Sequence, residues 1–236
     1  MVQLNLKISA RIDILIKPIN ILKMIQYFLF YISLYGIICY SLTGYYKDLS
    51  FKILSTYNAI NCIKLIFLIN KQCIEFLYPG TDNIIDGMYL FAAYLLVDGT
   101  ANLLTVKKKD NAAITSIIHH FVGGVGIFLI AYLQIGIGLG LYFAFTEIST
   151  PLLNLSWLLH ANDIKVKQVF ILFFYIFFIS RILTIPILLI YIYHNITNIL
   201  QMSWPICIMT YVASGIVSSL NIVWYVMLSK KMKELD

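Results

Sequence analysis

The chain is 236 residues long, 61% of them apolar and only 12% charged, about half the ~25% charged fraction usual for a soluble domain. Lys and Arg outnumber Asp and Glu by 17 to 11, a formal net charge of +6, and mean hydropathy is +0.86. So little charge cannot cover a water-soluble globule, which excludes an ordinary soluble enzyme, a disordered chain and a nucleic-acid binder and leaves an all-α, multi-pass membrane protein.

Residues 1–23 form a basic N-terminal segment with Lys7, Arg11, Lys17 and Lys23. It reads either as an amphipathic interfacial helix or as a sign that the first span is overcounted. A span needs ~20 mostly apolar residues, and about seven transmembrane segments qualify: 24–42, 50–69, 84–104, 113–133, 136–159, 168–194 and 203–228. The first, within a 24–46 unit, lacks a small-residue cleavage site and reads as a retained helix rather than a signal peptide. The second is the weakest, since it holds Lys52, Asn58, Asn61 and Lys64. Between the fourth and fifth stand only Gln134 and Ile135, followed by Gly136, Gly138 and Gly140. Those glycines suit a tight turn or a re-entrant start, and Gly136 with Gly140 makes a GxxxG packing pair. The remainder, 47–236, forms one domain with a short basic tail.

Seven spans put the termini on opposite sides. Lys47, Lys52, Lys107, Lys108, Lys109, Lys165, Lys167, Lys230, Lys231 and Lys233 fall on the C-terminal side, against Lys7, Arg11, Lys17, Lys23 and Lys71 on the other. The bias favours a cytosolic C-terminus. The Asn195-Ile196-Thr197 sequon then falls on the lumenal side, close to the membrane. The 4 cysteines, Cys39, Cys62, Cys73 and Cys207, show no metal-ligand spacing, and only Cys73 lies in a loop, so neither a metal site nor a disulfide framework is expected.

Ionisable residues inside spans are functional candidates by default. Here they are Lys64, Asp98, His119, His120, Glu147 and Arg181. Residues three or four apart share a helix face. Lys52, Ser55, Asn58, Asn61 and Lys64 mark one face of the second span; Asp98, Asn102 and Thr105 the third; Thr115, Ser116, His119 and His120 the fourth; Glu147, Thr150 and Asn154 the fifth; Arg181 and Thr184 the sixth; Thr210, Ser214, Ser218, Asn221 and Tyr225 the seventh. The first span offers little beyond Gln26, Ser33 and Ser41. The stripes predict six helices around a polar-lined interior with the first helix outside, or else a tight bundle joined by interhelical hydrogen bonds. Pro151 has no N–H for the carbonyl of Glu147, and Pro186 none for that of Ile182, so each leaves an acceptor open beside a charged residue. His119 and His120 can act as base, acid or nucleophile. Adjacent residues lie about 100° apart on a helix, so the rings diverge, and Glu147 or Asp98 is placed to orient one of them.

The run Ile118-His119-His120-Phe121-Val122, then Phe145-Thr146-Glu147-Ile148-Ser149-Thr150-Pro151-Leu152-Leu153-Asn154, then Ser180-Arg181 with Pro186, resembles the TLC domain shared by TRAM, Lag and CLN proteins. Asp98 sits where many members carry an acid. The resemblance covers roughly 47–228. It implies a six-helix barrel with a tunnel, in the endoplasmic reticulum or a related endomembrane. In the ceramide synthase branch it implies acyl transfer from acyl-CoA to a sphingoid base, with His119 and His120 matching the histidine pair and Glu147 at the first acid. The branch's second acid is missing near Thr150 and Pro151, and Thr146-Glu147 replaces its His-Asp dipeptide. The chain is more similar to TLC proteins outside that branch, which implies lipid handling: membrane lipid composition, sensing or transport.

Three functions follow. The first is lipid handling through a polar-lined tunnel, with membrane lipids and fatty acyl chains as partners and no cofactor. The second is an acyl-CoA-dependent N-acyltransferase, with acyl-CoA as substrate, His119, His120 and Glu147 as catalytic residues, and Asp98, Asn102, Asn154 and Arg181 binding substrate. The third is a proton-coupled transporter with Asp98, His119, Glu147 and Arg181 as the relay.

Overall fold

The computed structural model describes residues 18–105, 111–164 and 167–233. The expectation of an interfacial helix before residue 18, and the loop lysines Lys107, Lys108, Lys109 and Lys165, lie outside the described residues. Within them every regular element is helical.

Apolar runs of span length become helices because a backbone in hydrocarbon must bond to itself. They are α1 (Pro18–Ser41), α2 (Gly44–Ile66), α3 (Asp82–Thr105) and α4 (Asn111–Leu133), then α5 (Ile137–Thr146) and α6 (Thr150–Ala161), α7 (Lys167–Phe177) and α8 (Thr184–His194), the short α9 (Ile196–Leu200), and α10 (Trp204–Lys233). Each expected span overlaps its helix to within a few residues at either end, except that α1 and α2 begin six residues earlier than read and α10 ends five later. Among the described residues, five stretches are long and apolar enough to cross a membrane: Ile21–Ser41, Asp82–Leu104, Ala113–Leu133, Lys167–His194 and Trp204–Lys233. The other two expected spans fall short for different reasons. Lys47, Asp48, Lys52 and Lys64 dilute α2, and the fifth is broken into α5 and α6.

The helices close a ring. α2 packs on α3, α3 on α4, α4 on α10, α10 on α7, α7 on α6, and α5 with α6 back on α2. α1 stands outside this ring, laid against α3 and α2. Lys23 of α1 fixes one end of it, its Nζ lying 2.7 and 2.8 Å from the two carboxylate oxygens of Asp86. Apolar side chains such as Leu29, Ile37, Ile187, Leu189 and Ile190 project outward and are exposed, as lipid-facing positions require.

The α4–α5 connection is a tight turn rather than a re-entrant segment. Gln134 and Gly136 both adopt left-handed conformations, with φ of 52° and 68°, and the Gly136 N–H bonds to the Phe76 carbonyl at 2.7 Å. The expected GxxxG pair is divided between two jobs. A Cβ on Gly136 would meet the Phe76 ring, whereas one on Gly140 would strike the Met88 side chain of α3. Gly138, between them, is closed off by the Cys73 carbonyl and the Tyr191 ring.

The two prolines differ from one another, and the expectation for Pro151 is overturned. Between α5 and α6 the chain tightens over Glu147–Ser149, and the Thr150 N–H takes the Glu147 carbonyl. That acceptor is therefore not open, and Pro151 occupies the first turn of α6, where a missing N–H costs little. Between α7 and α8 the chain instead widens over Phe178–Ile182, with the Leu183 N–H reaching the Phe178 carbonyl five residues back. Pro186 then lies in the first turn of α8.

The sequon asparagine is buried. The Asn195 side-chain amide receives the Phe76 N–H at 2.9 Å and donates to the carbonyls of Ile74 and Tyr191 at 2.9 and 3.0 Å.

Candidate functional site

Six ring members and α1 meet around a cavity of about 550 Å³. It lies at the end of the bundle where α2, α4 and α7 begin and where α3, α6 and α10 finish. The seven residues given catalytic or binding roles from the sequence all line it: Asp98, Asn102, His119, His120, Glu147, Asn154 and Arg181; Lys64, the remaining ionisable candidate, is exposed and does not. They come from α3, α4, the tight turn before α6, α6 itself and the wide turn after α7.

The adjacent histidines part as the helix geometry requires, their ring centroids 5.7 Å apart. His120 Nδ1 lies 2.7 Å from Asp98 Oδ2. The same carboxylate accepts the Tyr35 hydroxyl, from α1, and the Asn102 amide at 2.8 Å. His119 Nε2 lies 3.7 Å from Glu147 Oε1, and its ring packs on Trp224, centroids 5.1 Å apart. Its Nδ1 is buried without a hydrogen-bond partner among the described residues. Each imidazole thus has its own nearby carboxylate: Asp98 is close enough to orient the His120 ring, whereas Glu147 stands just beyond hydrogen-bond reach of His119.

Arg181 closes the deep wall. Its Nε donates to Ser149 Oγ at 3.2 Å, one terminal nitrogen to Asn221 Oδ1 at 3.2 Å, and the other to Glu147 Oε1 at 3.4 Å. The guanidinium lies 5.2 Å from the Phe177 ring centroid and 5.5 Å from that of Trp224. Glu147 also accepts the Thr150 hydroxyl at 2.7 Å. Both side chains are more than nine-tenths buried, Arg181 at 6% and Glu147 at 7% exposure. A buried charge pair of this kind stands only with its remaining hydrogen bonds filled, which Ser149, Asn221 and Thr150 supply.

Asn154 has a more structural placement than the sequence suggested. Its amide donates to the Lys52 carbonyl at 3.1 Å and to Thr56 Oγ1 at 3.0 Å, pinning α6 to α2. Only its carbonyl oxygen is left for a ligand. Tyr35, Tyr94, Trp157 and Trp224 also line the cavity and were not singled out. Tyrosine and tryptophan in an apolar run look like packing or interface residues. The i, i+4 pair Tyr31 and Tyr35 was the available signal on α1, since both rings are nearly or fully buried.

A second cavity of about 520 Å³ lies toward the opposite end, between α5, α8 and the loop after α2. Its walls are nearly all apolar, with Leu141, Phe145, Ile187 and Leu188 among them. Arg181 and Thr184, one turn apart, face the first and second cavities respectively.

Neither the curated proteins nor the solved structures contain a match to the chain. A family model described as the TLC domain does match, over residues 18–230. The match takes in α1 and all but the last residues of α10, so this integral membrane protein belongs to the TLC-domain family.

Proposed function

We propose that this protein takes the polar end of a membrane lipid into the cavity between α2 and α10 and thereby acts in membrane lipid composition, sensing or transport. One observation carries the reading. The seven candidate side chains and further polar residues such as Lys52 and Ser116, backed by an aromatic shell, surround about 550 Å³ inside a bundle whose outer face is apolar. Such a space suits an amphiphile, with convergent polar groups to orient its head and lipid-facing walls for its tail. In this reading α2 and the broken α5–α6 helix also cross the bilayer, giving seven passages. The C-terminus and the cavity mouth then face the cytosol of the endoplasmic reticulum or a related endomembrane.

The test is lipid retention. Protein purified from membranes is extracted and its lipids identified by mass spectrometry, alongside Ser116→Trp, which fills the cavity from α4. The native chain should retain a defined lipid and the variant should lose it while keeping its melting temperature. Equal retention by both would overturn the reading.

A second reading, N-acyl transfer from acyl-CoA, is favoured by the two imidazole–carboxylate pairs. There the acceptor amine attacks the thioester carbonyl, an imidazole held by Asp98 or Glu147 takes the amine proton, and the coenzyme leaves as its thiol. Lysines at the mouth would draw in its phosphates. Membranes given labelled acyl-CoA and amine acceptors should form product that His120→Ala abolishes; product indifferent to that change would exclude it.

A further inference from the structure

Most of the charged groups lining the cavity are matched to one another. Asp98 is occupied by Tyr35, Asn102 and His120. Glu147 is occupied by Arg181 and Thr150, and all three donor nitrogens of Arg181 are in use. Lys52 differs. It is half-buried on the α2 wall, and among the described residues no carboxylate comes within ion-pair distance of its ammonium. The acids that bear on it electrostatically are Asp98 and Asp48. The first is already engaged, and the second stands at the exposed rim. What Lys52 does meet is the face of Trp157, with its Nζ 5.9 Å from the ring centroid.

We infer that Lys52 anchors an anionic group, carboxylate or phosphate, at the polar end of the lipid taken up by this cavity; the assignment rests on the lipid-handling reading above. A cation half-withdrawn from water inside a membrane bundle is costly unless an anion or water compensates it. Trp157 covers one side of the ammonium and leaves its other N–H donors toward the cavity. Asn154 holds the Lys52 carbonyl from α6, which fixes the turn of α2 that presents the side chain. Arg181 does not compete for the anion, because its fork is spent on Glu147, Ser149 and Asn221. The alternative for Lys52 is simple hydration at the mouth, which would give the cavity no preference for charge.

Three probes with the same eighteen-carbon chain separate these cases: oleate, oleyl phosphate and oleyl alcohol, each titrated into the purified full-length chain in detergent. At least one anion should bind about tenfold or more tightly than the alcohol, the scale of a charge-assisted contact. Lys52→Gln should lower the favoured anion to the affinity of the alcohol and leave alcohol binding unchanged, which also reports that the cavity is intact. Lys52→Arg should keep the preference. A lead for oleyl phosphate assigns a phosphate headgroup, and a lead for oleate assigns a free fatty acid. Equal binding of all three, or an anion preference that survives Lys52→Gln, overturns the role of Lys52 while leaving the lipid reading in place. Failure of all three to bind overturns both.

Discussion

Arg181 and Glu147 illustrate how single residues set this site. Neither is tolerable alone in the interior of a membrane bundle, and each is held by neutral hydrogen-bond partners as well as by the other. Arg181→Met should therefore cost about 3–5 kcal/mol, because it leaves a buried carboxylate without its cation. Arg181→Met combined with Glu147→Gln should cost much less than the sum of the two single changes, a coupling that chemical denaturation in micelles would measure. Arg181→Lys should not restore the native value, since an ammonium cannot span Ser149, Asn221 and Glu147 together. The charged residues were legible in the sequence because a charge in a span stands out against its neighbours. Tyr35 was not, although its hydroxyl reaches Asp98, because a tyrosine in an apolar helix has many uses. Asn154 was legible as a polar residue on the inner face, but sequence spacing does not tell whether an amide faces a cavity or a neighbouring backbone.

At the level of elements, the seven segments could be read because hydrocarbon imposes one length and one backbone solution on all of them. The breaks in them could not. The prolines marked where α5–α6 and α7–α8 depart from regular geometry, yet the chain tightens at one and widens at the other, and Glu147 and Arg181 sit in those two irregular turns. Two inward stripes of step four meet in the wide turn: Phe173 and Phe177 lead to Arg181 within it, and Ser180 within it leads on to Thr184 and Leu188, all buried. A step of four drifts by about 40° per turn on a regular helix, and the extra residue in the turn lets one stripe end where the other starts. The loop after α2 depends on a different device, the Asn195 amide. Its three hydrogen bonds make the sequon inaccessible, so the chain expressed in glycosylating cells should run at the same mobility before and after endoglycosidase treatment. Asn195→Ala should lower stability by about 1–3 kcal/mol in the same denaturation assay, since it strands the Phe76 N–H and the Ile74 carbonyl.

Across the whole molecule, the polar groups gather at one end, the end that also carries Lys47, Lys167, Lys230, Lys231 and Lys233. Positive loop charge and cavity mouth therefore share a side, which the proposed function places in the cytosol by the positive-inside rule. A tag at the C-terminus should be reached by antibody when only the plasma membrane is permeabilised; protection until the internal membranes are dissolved would reverse the assignment. The ring closes through α2 to α10 without help from α1, yet α1 covers the seam between α2 and α3 and delivers Tyr35 to Asp98. In terms of assembly, the chain is a complete barrel with one detachable wall. Shortening from the N-terminus would leave every ring contact in place while taking the Tyr35 hydroxyl from Asp98, so the setting of the site would be altered before the fold.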